Sequence, residues 1–101
     1  PVSGTIYFIG PWGFKVVKIG FATSWRKRLH SLQIGNPEEL KLYALIRGTQ
    51  DEEKALHERF ADRRIRGEWF DHLGTVKAYL TELRSNPLTI YHRANAQREP
   101  R

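Results

Sequence analysis

The sequence predicts a small α+β domain, a three-stranded antiparallel sheet flanked by helices in the order β-β-α-β-α-α. Two runs of β-branched and aromatic residues, 5–9 and 15–19, are separated by Gly10-Pro11-Trp12-Gly13, a turn that suits an antiparallel hairpin. Three later segments carry apolar residues at helical spacing, each behind a residue able to cap a helix. The 101 residues suffice for one domain with a real core and leave no room for two.

Thr5-Ile6-Tyr7-Phe8-Ile9 forms the first strand, and Lys15-Val16-Val17-Lys18-Ile19, ended by Gly20, the second. Thr23 or Ser24 is placed to cap a helix, its side-chain oxygen taking an N–H that has no partner inside the helix. Trp25, Leu29 and Leu32 follow at helical spacing, and Gly35-Asn36-Pro37 stops the run. Leu40 to Arg47 alternates as a third strand with Leu40, Leu42, Ala44 and Ile46 on one face. Thr49 and Glu52 have capping-box spacing, which starts a second helix with Leu56 and Phe60 one turn apart on its apolar side. Arg63-Arg64-Ile65-Arg66-Gly67 leaves that helix, and Glu68-Trp69-Phe70 is a short aromatic anchor in which Glu68 is expected to be structural. Asp71 is placed to cap a third helix with Leu73, Val76, Leu80 and Leu83 facing inward, closed by Asn86-Pro87. The domain is therefore expected over 1–87. Residues 88–101, polar, basic and poor in large apolar groups, are expected to be a tail or linker. Pro1-Val2-Ser3-Gly4 reads as an exposed entry strand or a cut end.

Lys and Arg outnumber Asp and Glu 17 to 11, a formal net charge of +6. Such an excess favours polyanionic partners through attraction and counterion release, and nucleic acid fits best. An anionic membrane fits poorly, because no helix is apolar on one side and Lys-rich on the other. Without cysteine there are no disulfides, thiolate metal sites or cysteine nucleophile. No apolar run approaches the roughly 20 residues that span a bilayer, and no secretory signal is visible, so a cytoplasmic location is expected.

Three groups of residues could carry chemistry. A hairpin pairing Ile9 with Val16 would put Tyr7 opposite Lys18, where the ammonium would stabilise a phenolate and lower its pKa. Such a tyrosine could take a proton from water, although a half-buried tyrosine covered by a lysine stem gives the same two letters. Arg28, between Trp25 and Leu32 in helical projection, is expected to be partly buried and a fork for one phosphate, with a solvated charge run as the alternative. Glu53 and His57, four residues apart, share a helix face with Leu56 and Phe60. Ionisable groups on an apolar stripe need a reason, which a Mg²⁺ ligand with a histidine beside it or a hydrogen-bond network would supply. His30, His72 and His92 show no spacing that would add zinc ligands to His57.

The order and setting of these residues say more than any one of them. Ile6-Tyr7, then Lys18-Ile19-Gly20, then Arg28-Leu29 resembles the core of the GIY-YIG nuclease superfamily. Leu32-Gln33-Ile34-Gly35-Asn36-Pro37, Glu53 to Phe60 and Gly67-Glu68-Trp69-Phe70 extend the likeness to the branch found in phage-encoded proteins and meiotically up-regulated fungal proteins. The likeness covers residues 5–80. Thr5 stands where the first motif usually has glycine, and Lys18 where the second usually has tyrosine, a replacement typical of this branch.

The resemblance implies hydrolysis of a DNA phosphodiester with one divalent metal, Mg²⁺ or Mn²⁺. Tyr7 takes the place of the first motif tyrosine, Arg28 of the family arginine and Glu53 of the metal-binding glutamate, and His57 holds the branch's histidine position. On this view Tyr7, tuned by Lys18 and the nearby metal, deprotonates water, Arg28 holds the phosphate and His57 orients water or Glu53 or donates to the phosphate. Lys15, Arg26, Lys27, Arg63, Arg64 and Arg66 would contact phosphates without reading sequence, and a fused or partner domain would supply specificity. Two other functions fit the same letters. One is a non-catalytic nucleic-acid-binding module that kept the fold. The other is a protein-interaction domain presenting Trp12 and Trp69.

Overall fold

A computed structural model describes residues 3–13 and 15–86. The expected tail therefore lies outside the described residues. The α+β class is as expected, but the sheet has five strands where the sequence predicts three. In chain order the elements are β1 (Ser3–Pro11), β2 (Val16–Ala22), α1 (Trp25–Ile34), β3 (Leu40–Thr49), α2 (Gln50–Arg59), a 3₁₀ turn (Ala61–Arg63), β4 (Arg64–Arg66), β5 (Trp69–Asp71) and α3 (Gly74–Ser85). The strands lie β3-β1-β2-β5-β4, every neighbouring pair antiparallel. The added pair, β4 and β5, has only three residues per strand and three exposed residues in β4, too little for an alternating pattern. Gly67, at φ 55, closes its turn, and the Arg64 Nε–H clasps it by donating to the Gly67 carbonyl at 2.7 Å.

The central strand β1 is buried from Ile6 to Pro11, because it has a neighbour on either side and helices above and below. Its pairing with β2 is displaced two residues from the expected register. Ile9 faces Lys18, and Tyr7 faces Gly20 rather than Lys18. Against β3 the ladder shifts between Phe8 and Ile9, so that Tyr43 has no opposite number. The Tyr43 hydroxyl instead donates to the Pro11 carbonyl at 2.6 Å, and its ring meets His72 edge-on at 4.7 Å.

The helices dock as amphipathic elements. Trp25, Leu29 and Leu32 of α1 pack against the core, although Ser24 makes no side-chain cap there. Gln33 ties the end of α1 to β3, its Oε1 accepting from the Leu40 N–H at 2.8 Å and its Nε2 donating to the Glu38 carbonyl at 2.9 Å. The capping box of α2 forms as its spacing predicts, with the Thr49 N–H donating to Glu52 Oε1 at 2.8 Å and the Glu52 N–H to Thr49 Oγ1 at 3.2 Å. Phe60 and Tyr79 bring α2 and α3 together at 5.4 Å between ring centres, and Tyr79 also lies on Phe8 at 6.0 Å. Asp71 does not cap α3. It ends β5, and the helix starts at Gly74 behind Leu73, which is exposed and not part of the core.

Candidate active site

The side chains singled out by sequence meet around two consecutive residues of β2, Ile19 and Gly20. The β2–β5 ladder runs out at Lys18 and Trp69, with one last bond from the Ile19 N–H to the Glu68 carbonyl at 2.9 Å. Beyond it the edge of β2 carries no β5 partner. Tyr7 reaches this edge from the neighbouring strand. Its ring is buried, and its Cζ and hydroxyl lie where a Cβ on Gly20 would stand. Only a residue with no side chain lets the phenol through.

From α2 comes His57, whose Nε2 lies 2.8 Å from the Ile19 carbonyl and 3.5 Å from Glu53 Oε2. A carbonyl can only accept, so Nε2 carries the hydrogen of this contact. Glu53, one turn earlier, is 5 % exposed. It sits in the first turn of α2, where the helix dipole favours a negative charge. Burial is nevertheless the largest influence on it and holds its pKa above the ordinary carboxylate value. Glu68 adds to this by charge and by a side-chain hydrogen bond to Glu53, while the His57 charge opposes it. Two carboxyl groups therefore meet, one from α2 and one from the turn before β5. Sequence reasoning assigned Glu68 to structure alone. The available signal was a carboxylate in a Gly-Glu-Trp-Phe run, a charge at the mouth of an aromatic anchor.

Lys18 is placed differently from expectation. Its Nζ is 3.3 Å from Glu68 Oε1 and 5.5 Å from the Trp69 ring centre. The ammonium thus answers the Glu68 carboxylate and does not act on the phenol. The Tyr7 pKa moves up, not down, and is pushed up to about 12, by burial first and then by the Glu68 charge. Arg28 pulls it down and Glu53 pushes it up by smaller amounts. Tyr7 is accordingly a neutral phenol, a hydrogen-bond donor, at neutral pH. These couplings bring Tyr7, Arg28, Glu53 and Glu68 within electrostatic reach of one another. Arg28 itself is exposed, not partly buried as helical projection suggested, so its guanidinium is open to a ligand.

The basic residues expected to hold phosphates divide. Arg26 lies over the Trp25 ring at 4.5 Å, and Lys27 and Arg66 are exposed. Lys15 is exposed and 4.0 Å from Glu38. Arg63 is not available as expected. Its Nη1 is 3.6 Å from Asp71, and its guanidinium lies against Gly74, a glycine at φ +57 where a Cβ would collide with it. Trp12 is exposed with Lys41 4.2 Å above its ring, whereas Trp69 is half-buried under Lys18, so the pair does not form two open anchors.

Among the described residues, no three His, Cys, Asp or Glu side chains gather into a group that could hold a metal. No helix among them is long and apolar enough to cross a membrane. The family model of the T5orf172 domain matches residues 4–84, from the start of β1 to the last turn of α3. No curated protein and no solved structure matches the chain.

Proposed function

The chain belongs to the T5orf172 domain family, and from that premise and the geometry around Gly20 we propose that it is a metal-dependent DNA endonuclease of the GIY-YIG type. The observation that carries this reading is the gathering of a phenol, a guanidinium and a buried carboxylate, from three different elements, around a strand edge left bare by Gly20. An exposed arginine beside a phenol and a carboxylate is what a phosphodiester needs, since charge builds on the non-bridging oxygens as the bond breaks.

The donor set fits a hard divalent cation. Mg²⁺ binds through one or two carboxylates and keeps its other positions for water and substrate phosphate. Glu53 and Glu68 offer such a pair, with the Glu53 pKa raised by burial first and by the Glu68 charge second. Glu53 would hold the ion, which when bound would stabilise the leaving oxygen. Arg28 binds the scissile phosphate and favours the Tyr7 phenolate. Tyr7, which burial keeps as a phenol, orients the attacking water, and it takes a proton from that water only after releasing its own to solvent. His57 gives its one Nε2 hydrogen to the Ile19 carbonyl, which holds the ring beside Glu53. Lys18 holds Glu68 in place.

The high Tyr7 pKa also favours a second reading, a module of the same fold that binds nucleic acid without cutting it. Labelled single-stranded, duplex and branched DNA, incubated with Mg²⁺ or Mn²⁺ and in parallel with chelator, separates the two. Cleavage that chelator abolishes supports the nuclease. Tight binding with every substrate intact in both metals would leave the binding module.

A further inference from the structure

Two residues along β1 from Tyr7, the same sheet face opens into a cavity of about 620 Å³ lined by Gly4, Thr5, Thr23, Arg47, Gly48, Thr49 and Glu52. The register explains its position. Leu45, Tyr7 and Gly20 form one row across β3, β1 and β2, and Arg47, Thr5 and Ala22 form the next row on that face. The rows are about 7 Å apart along the strand. Gly4 and Gly48 are also opposite one another, so part of the wall is bare backbone.

The charges in the cavity are unequal in availability. Arg47 is exposed and makes no ion pair among the described residues. The nearby carboxylate, Glu52, keeps its charge but is turned to the backbone, its Oε1 accepting the Thr49 N–H at 2.8 Å in the capping box. The Thr5 hydroxyl is also committed, donating to the Ala22 carbonyl at 2.9 Å. Thr23 is exposed and stands just ahead of α1, whose first turn holds no acidic residue. An open guanidinium and an exposed hydroxyl suit an anion even with Glu52 on the same wall, and a guanidinium binds phosphate with paired donors.

We propose that this cavity is a second phosphate subsite, in which Arg47 and Thr23 hold a phosphate of the strand one or two nucleotides from the one at Tyr7 and Arg28. The spacing agrees, because each DNA strand carries one charge per ~3.4 Å of axis. The proposal rests on the nuclease reading for its ligand and goes beyond it by fixing the path of the strand along β1, towards Thr5 and α1. Bound there, the DNA is held at a second point beside Arg28, which sets where along the strand the scissile bond falls.

The test is fluorescence anisotropy of a labelled DNA duplex in chelator, where no cutting occurs, over a NaCl series. It compares the wild type with Arg47→Ala, Arg47→Lys, Thr23→Val and, as an equal loss of charge elsewhere, Lys77→Ala on α3. Arg47→Ala should weaken binding several-fold and lower the slope of log K against log salt by about 1, one phosphate contact. Arg47→Lys should recover the slope but not the full affinity, Thr23→Val should weaken binding with the slope kept, and Lys77→Ala should leave the slope unchanged. Wild-type binding with a salt slope that Arg47→Ala does not alter, or that Lys77→Ala lowers equally, overturns the subsite and leaves the nuclease reading standing. No salt-dependent binding by the wild type overturns both.

Discussion

Replacing Gly20 with alanine puts a methyl carbon where the Tyr7 phenol now lies. The new Cβ would be 2.3 Å from both Cζ and the hydroxyl oxygen and 2.9 Å from Cε1. Non-bonded carbons rest at about 3.5–4.0 Å, so the ring must retreat by more than an ångström into a buried setting. Overpacking of that kind costs about 1–3 kcal/mol. Against it stands the gain from removing a strand glycine, roughly 0.5–1 kcal/mol. The net expectation is a loss of about 1–2 kcal/mol. The origin of the loss shows in a double-mutant cycle with Tyr7→Val, which takes away the clashing atoms. In that background Gly20→Ala should turn neutral or slightly stabilising, a coupling of about 2 kcal/mol. Tyr7→Phe keeps Cζ in place and should keep most of the penalty. Urea unfolding followed by far-UV circular dichroism gives the midpoints, compared at equal slope. If Gly20→Ala costs the same with valine at position 7 as with tyrosine, Gly20 does not make room for the phenol and the geometry of the site is wrong.

Three further expectations follow from the same residues. Glu53→Ala should abolish cleavage with DNA binding in chelator intact or slightly tighter, while Arg28→Ala should cost roughly 100-fold or more in rate and Arg28→Lys regain only part; an active Glu53→Ala variant removes its assigned role. Glu53 has its folded pKa raised above the ordinary 4.5, so its ionisation opposes folding as pH rises through that raised value. Glu53→Gln should therefore melt higher than wild type near pH 7, with the difference vanishing below about pH 4.5, and a thermal-melt series showing the reverse trend would contradict the burial argument. His72 is buried and its pKa is pushed down to about 4, by burial first and then by the Lys77 and Arg84 charges. The unfolded chain takes up that proton first, so stability present above pH 6.5 should fall by roughly 3 kcal/mol as pH drops through 4. His72→Gln should flatten that acid limb in a denaturation-against-pH profile, and an unchanged limb would place its cause elsewhere.

Some of this was legible because burial writes itself into spacing. β1 and β2 carry β-branched and aromatic runs since each has a strand on both sides, β3 carries its run because it is buried from Leu42 to Leu45, and α2 announces its start through Thr49 and Glu52. Glu53 and His57 were visible as charges on an apolar stripe, and they do share one face. Other features left no such trace. A three-residue strand with arginines at both ends has no face to alternate, so β4 and β5 could not be read from pattern. The hairpin register depended on how far β1 runs past Ile9, and its extension to Pro11 moved Lys18 two residues away from Tyr7. That displacement takes away the expected support for a phenolate, and burial, followed by the Glu68 charge, raises the Tyr7 pKa instead. The part played by Glu68 depends on a long-range meeting of β2 with the turn before β5, which nearby sequence does not encode.

The way Glu68 is held has a consequence for motion. Tyr7 belongs to the middle strand of the sheet, whereas Glu68 sits in the turn of a hairpin with three residues per strand at the sheet's rim. Local opening draws on the least cooperative segments first, and short rim hairpins are among them. Glu68 can therefore part from Glu53 by release of β4 and the turn alone, while Phe70 of β5 stays in the core and Tyr7 stays in place. The Ile19 amide, whose hydrogen is held by the Glu68 carbonyl, would exchange with solvent at the rate of that release. The amides of β1, paired on both sides, would exchange only when the whole chain unfolds.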